Sequence, residues 1–188
     1  MNKIFLTSDW HFNHDKDFIW QARGFNSVDE MNNEIIKRHN SVVAKDDDVY
    51  VLGDLCMGTD LIANKNLIEQ LNGKIHIVLG NHDTNNRIGM YHSCKNIVEF
   101  CGYATLFKFK GYNFHFSHWP TDTSNDDSDK PIKARLINIC GHSHATNKYA
   151  DLIIGKYSYH VEMDANNCYP VLLDKIIEDL LFMNSQQK

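Results

Sequence analysis

Five short apolar runs in this chain stop at a glycine or serine and give way at once to side chains able to bind metal. They end in SDWH (Asp9, His11), GD (Gly53, Asp54), GNHD (Asn81, His82, Asp83), FHFSH (His118) and GHSH (His142, His144). Residues 3–8, 48–52 and 74–79 are rich in β-branched or aromatic residues and read as buried strands. Between the first two the spacing predicts a helix over 28–43, with Ser27 and Glu30 at capping-box separation, and a second helix follows over 60–71. Strand alternating with helix predicts parallel pairing. In open α/β sheets ligands gather at the carboxyl ends of strands, so five such ends can converge on one point.

The second half has another rhythm. Residues 97–118 break at Gly102 and at Lys110-Gly111, which predicts consecutive antiparallel strands. Further strands are expected over 136–140 and 159–163, then a terminal helix capped by Asp174. The acidic stretch 120–131, bracketed by prolines, is expected to be a mobile loop, and with Trp119 a candidate lid.

With 188 residues, 43% of them hydrophobic, the chain has the size of one domain, 1–188, with a substantial core. Its five cysteines, without a CxxC pair, read as reduced core residues of a cytoplasmic protein. The N-terminus turns polar too soon for a signal peptide, and no apolar run approaches the ~20 residues of a membrane span. A net charge of -5 argues against long duplex nucleic acid as a partner, though a phosphorylated small molecule or nucleotide remains compatible if bound cations supply positive charge. Nothing in the sequence speaks to oligomeric state.

The donor types point to a particular chemistry. Asp9 with His11, and His142 with His144, stand two residues apart, which puts each pair on one side of an extended segment. Mixed imidazole and carboxylate ligands favour Mn, Fe, Zn, Co or Ni, and seven candidate ligands exceed one tetrahedral site. Two divalent or trivalent transition metal ions sharing one carboxylate would use them all. Singly, each piece has an ordinary reading: Gly-Asp and GNHD fit turns, GHSH a polar loop, and His118 a satisfied core histidine. Their joint occurrence, each at an expected strand end, makes coincidence a poor account.

The ordered series D-x-H, G-D, G-N-H-D, a lone H and G-H-x-H resembles the calcineurin-like metallophosphoesterases, without a substitution from residue 9 to 144. The resemblance implies an α/β fold, a four-layer α-β-β-α sandwich of two mixed β-sheets flanked by helices. It implies that Asp9, His11, Asp54 and His144 hold one metal and Asp54, Asn81, His118 and His142 the other, with Asp54 bridging. His82 is then the non-ligand histidine facing the leaving group, and Asp83 orients it through a hydrogen bond. The segments HFNH, QARGF and YHVEMDANNCYPVLLDKI look like a compact bacterial and phage branch, with Gly24 where that branch has proline. On that likeness His14 and Arg23 are candidates for binding substrate phosphate, and His160 has no assignment.

The function so implied is hydrolysis of a phosphate ester, a phosphodiester slightly favoured over a monoester, by metal-activated hydroxide with His82 as general acid. Two alternatives stay open: a non-catalytic metal-binding scaffold of the same fold, and a nuclease or cyclic-oligonucleotide phosphodiesterase. The metal identity and the physiological substrate are not legible.

Overall fold

The computed structural model describes residues 2–123, 131–149 and 158–186. The first half runs β1 (Ile4–Thr7), α1 (Asp17–Trp20), α2 (Val28–Val42), β2 (Asp48–Leu52), α3 (Leu61–Ile68), β3 (Lys74–Val78), α4 (Asn85–Tyr91) and β4 (Ile97–Phe100). The second runs β5 (Ala104–Phe109), β6 (Tyr112–Ser117), β7 (Leu136–Cys140), β8 (Ser158–His160), β9 (Val171–Leu172) and α5 (Leu173–Gln186). Two mixed sheets result, ordered β4-β3-β2-β1-β9 and β5-β6-β7-β8.

Side chains alternate across the first sheet and so divide it between two cores. Phe5, Val49, Val51, Ile75 and Ile77 pack with Met31, Ile35 and Ile68 from α2 and α3 and with Tyr91 from α4. Leu6, Tyr50, Leu52 and Val78 face the other way, onto Phe114, Phe116, Ile137, Ile139 and Tyr159 of the second sheet. Leu173, Ile176, Ile177 and Leu180 of α5 close that second core. A strand buried on both faces needs the near-continuous apolar runs that made β1, β2 and β3 readable.

The expected antiparallel second half is not what forms. β4 joins the first sheet parallel to β3, and β6–β7 and β7–β8 are also parallel. Within the second sheet only β5–β6 is antiparallel among the described residues, closed by Lys110 and Gly111, both at positive φ as a two-residue hairpin requires. An antiparallel β7 would carry GHSH to the edge opposite His118; the parallel pairing brings both to one edge. The strand expected over 159–163 stops at His160 and gives way to a 3-10 turn at Met163–Ala165. Asp174 lies in the first turn of α5 rather than capping it. Most of the expected loop, residues 124–130, lies outside the described residues.

Two helix starts follow the side chains that the sequence offers. The Ser27 hydroxyl accepts from Glu30 N, while the Glu30 carboxylate reaches back to Asn26 N rather than to Ser27 itself. Asp60 accepts from Ile62 N and Ala63 N at the head of α3. No described helix is long and apolar enough to cross a membrane. None of the five cysteines is in a disulfide; four are buried and Cys101 is half-buried.

His39, buried on α2, faces the Asn72 carbonyl through Nε2 at 2.9 Å and meets the Trp10 ring edge-on. Burial pushes its pKa from 6.5 down to about 4, against the opposing pull of that hydrogen bond. The folded chain therefore refuses a proton that the unfolded chain accepts, and stability present above about pH 6.5 falls by up to ~1.4 kcal/mol per pH unit toward pH 4. Urea unfolding of wild type and His39→Gln across that range should show wild type losing stability relative to the variant as pH falls. A difference that stays constant with pH contradicts the assignment.

Candidate metal centre

The carboxyl ends of β1, β2, β3, β6 and β7 meet at one edge, and the turns that follow them are tight. Asp9, His11, Asp54, His142 and His144 all adopt positive φ, between 50° and 72°, a left-handed backbone that costs a residue with a β-carbon roughly 1 kcal/mol or more. Such turns pack so closely that Gly53, Gly80 and Gly141 leave no room for a β-carbon. A β-carbon at Gly80 would lie 2.3 Å from Asp54 Oδ1, and one at Gly141 would lie 2.0 Å from Ser8 Oγ.

Within this edge the side chains form two overlapping groups. The ligand-type atoms of Asp9, His11 and His144 lie within 4.8 Å of one another, as do those of Asp9, Asp54 and His118. The two groups share Asp9, but the oxygen lying between imidazoles is Asp54 Oδ2, 3.8 Å from His11 Nε2 and 3.4 Å from His118 Nε2. Asn81 Oδ1 stands 2.9 Å from His118 Nε2 and 3.0 Å from His142 Nδ1. All seven sequence-selected ligands are thus brought together.

Their unused atoms fit a cation. Asp9 Oδ1 and His11 Nε2 are buried with no hydrogen-bond partner, a costly state for polar atoms unless something else binds them. Two of the imidazoles are aimed by hydrogen bonds on their far nitrogens. His118 Nδ1 faces the Leu52 carbonyl at 2.8 Å, leaving Nε2 inward, and His144 Nδ1 faces Asp164 Oδ2 at 2.9 Å. Protonation also suits metal binding. Burial opposes ionisation of Asp9, but the nearby imidazoles of His11 and His118 and the Ser8 hydroxyl outweigh it and bring its pKa down to about 2. Burial pushes the His11 and His142 pKa values down, toward the neutral imidazole that a cation needs.

His82 lies among these residues with a different set of contacts. Its N–H donates to Asp54 Oδ1 at 2.8 Å and its carbonyl accepts from Arg87, which also binds the Met57 carbonyl. Its ring has no hydrogen-bond partner among the described residues and packs edge-on to His11, with centroids 5.6 Å apart.

The expected contact from Asp83 to the His82 ring is absent. The Asp83 carboxylate instead accepts from Gly80 N at 2.8 Å, Asp54 N at 2.9 Å and Tyr91 Oη at 2.8 Å. A buried carboxylate takes the donors closest to it, and here those are backbone N–H groups of the two turns it joins. Asp83 is therefore a staple between the ends of β2 and β3.

Arg23 also departs from expectation. Its Nε donates to Asp164 Oδ1, its Nη1 to the Trp10 carbonyl and Met31 Sδ, and its Nη2 to the Asp9 carbonyl and Asp164 Oδ2. All five donors of the guanidinium are used, leaving none for a phosphate. His14, by contrast, lines a cavity beside the centre, 3.3 Å from His11 through facing Nδ1 atoms, and burial with its neighbours' charges brings its pKa down to about 4.

Sequence reasoning missed Asp164 and Glu162. Glu162 Oε1 accepts from Ser143 Oγ and Ala145 N, each at 3.0 Å, and faces His160 Nδ1 at the same distance. It thereby holds the turn between His142 and His144, and gives the unassigned His160 a place. The signal was the pair of acids in VEMD following a strand, a weak one because both act on backbone and side chains distant in sequence.

A family model described as calcineurin-like phosphoesterase matches residues 2–186. The chain is 33% identical over 181 residues to the uncharacterized protein MJ1445 of Methanocaldococcus jannaschii, covering 95% of this chain and 91% of that one. It is 26% identical over 189 residues to the gene 66 protein of Mycobacterium phage L5, covering 88% of each. The crystal structure of the protein of unknown function AQ665 from Aquifex aeolicus shares the fold, with a TM-score of 0.71 at 21% identity over 96% of this chain and all of that one.

The Arg23–Asp164 pair, its arginine side chain 1% exposed, makes a direct prediction. Asp164→Ala strands a buried guanidinium and should cost about 3–5 kcal/mol in urea unfolding of the metal-free chain. A loss below ~1 kcal/mol would mean that Arg23 is free to serve elsewhere.

Proposed function

The chain belongs to the calcineurin-like phosphoesterase family, and on that premise we propose that it is a dinuclear-metal phosphoesterase that hydrolyses phosphodiesters in preference to monoesters. Asp9, His11, Asp54 and His144 would hold one ion, and Asp54, Asn81, His118 and His142 the other. The observation that carries the reading is Asp54 Oδ2 between the inward nitrogens of His11 and His118, with Asp9 Oδ1 and His11 Nε2 buried beside it, 3.6 Å apart and without a hydrogen-bond partner. Transition metal ions bound there supply Lewis-acid polarisation of the phosphoryl group and a water acidified enough to attack near neutral pH.

The protein's own residues do the rest. Asp83 and Asp164 fix the turns that carry the donors, so the site is organised before substrate arrives. His82, whose ring is unengaged, passes a proton to the departing alkoxide as the phosphorus–oxygen bond breaks. Preference for a diester rests on charge. Arg23 and Arg87, the guanidinium groups beside the centre, are committed to carbonyl groups and Asp164, so the described residues offer a dianionic monoester no unengaged guanidinium. Trp119, packed against His118 and His142 and paired with Tyr103, gives one side of the centre an aromatic surface, which favours a diester bearing a flat group such as a nucleobase.

An activity screen of the Mn-reconstituted protein against monoester, diester, cyclic nucleotide and phosphopeptide substrates tests the reading, with diesters expected to be turned over fastest. Silence across that panel with metal bound would leave a metal-binding scaffold. His82→Ala should keep its metal content and lose roughly 10²-fold or more in kcat on alkyl esters, whose alkoxides need a proton to leave. Unchanged kcat there removes His82 from the chemistry. Asp54→Asn should lower metal content by elemental analysis; full occupancy would contradict a bridging role.

A further inference from the structure

Beside the His11 and His144 side of the centre lies a cavity of about 690 Å³, with His14 and His82 also on its wall. Most of its remaining surface is apolar, from Phe18, Ile19, Ala22, Met57, Met163 and Cys168, and its other polar groups are Thr146, Asp164, Asn167 and two arginines. We infer that this cavity receives the leaving alcohol of the substrate, and that the alcohol it selects is uncharged and carries a flat, apolar ring system. The inference rests on the phosphodiesterase reading above and names the substrate class for it.

Three observations support it. First, position: the cavity includes His82, the residue proposed to protonate the leaving oxygen, and none of Asn81, His118 or His142, so it serves one side of the phosphorus. Second, charge: the two guanidinium groups that reach it are already engaged. Arg23 spends its five donors as described, and Arg38 binds Glu34 and the Asn167 carbonyl and lies over the Phe25 and Tyr169 rings. A second phosphate on the leaving group would find no unengaged guanidinium among the described lining residues, and a sugar's hydroxyls would lose water against thioether and hydrocarbon over most of the wall. Third, Phe18 is 65% exposed at the cavity wall, edge-on to His14 at 5.8 Å, a large apolar ring left in water where a substrate ring would cover it. The wall is built rather than accidental. Asn167 and Cys168 sit in left-handed backbone, secured by Arg38 on the Asn167 carbonyl and by Cys168 N on the Met163 carbonyl.

The test compares bis(phenylethyl) phosphate with bis(methoxyethyl) phosphate, whose leaving alcohols are of similar acidity, in the two-metal protein. The kcat/KM ratio should favour the ring-bearing ester by about tenfold or more, the scale expected for covering an aromatic ring. Phe18→Ser, at an exposed position that folding does not depend on, should lower that ratio about fivefold, and Phe18→Trp should preserve it. In parallel, ligand-observed NMR of the metal-free chain should detect saturable binding of naphthylethanol alone, weakened in Phe18→Ser. Equal kcat/KM for the two diesters, or a ratio unchanged in Phe18→Ser, overturns the pocket while leaving the phosphoesterase reading intact. Hydrolysis of neither ester by the two-metal protein overturns the phosphoesterase reading, and the NMR titration then decides the pocket alone, absence of saturable binding overturning it.

Discussion

Five of the seven candidate ligands sit on left-handed backbone, and the fold is organised to hold them there. An L-residue adopts that conformation only when surrounding contacts over-determine it. The contacts here come from buried acids that touch no candidate ligand's inward atom. Asp83 ties the turn of Asp54 to that of Gly80, Glu162 ties the turn of Ser143 and Ala145, and Asp164 with Arg23 secures the Asp9 and Trp10 carbonyls and the His144 ring. Each acid accepts from fixed donors through at least one oxygen, so the strain at one turn is offset by hydrogen bonds anchored in another.

Concentrating carboxylates and imidazoles in a buried edge is stable only if charge is managed. The guanidinium groups that could neutralise it are spent inside the protein: Arg87 binds the His82 and Met57 carbonyls, and Arg23 binds Asp164, whose burial is outweighed by hydrogen bonds from His144 and Arg23 that hold it below the usual carboxylate range. The hydrogen bond to Asp164 in turn raises the His144 pKa. At the centre itself Asp9 Oδ1 and His11 Nε2, 3.6 Å apart, are buried without a hydrogen-bond partner. The same economy shapes the surroundings: a cavity walled by Phe18, Met57 and Met163 has little to offer a highly charged ligand and much to offer a ring.

The sequence exposed the parts whose signal is local. Apolar strands, the Ser27 cap and the five ligand-bearing strand ends were readable because each is a run or a short spacing. Strand direction in the second half was not, because a break at a glycine marks a turn without saying whether the chain reverses or crosses over. The roles of Asp83 and Arg23 were misread because key partners of both lie far off in sequence, Asp54 N for Asp83 and the Asp9 carbonyl and Asp164 for Arg23. α4 escaped notice because NNRIGMY, polar at its start and containing glycine, has no helical stripe; it forms as Thr84 leads out of the GNHD turn, and it places Tyr91 on Asp83.

The central claim is that two ions share Asp54 while His82 binds neither. A crystal structure of the Mn-reconstituted protein with anomalous-scattering data tests it most directly. The account predicts two anomalous peaks, one among Asp9, His11 and His144 and one among Asn81, His118 and His142, with Asp54 touching both and the His82 ring outside each coordination sphere. A single peak, or a peak coordinated by His82, would contradict it.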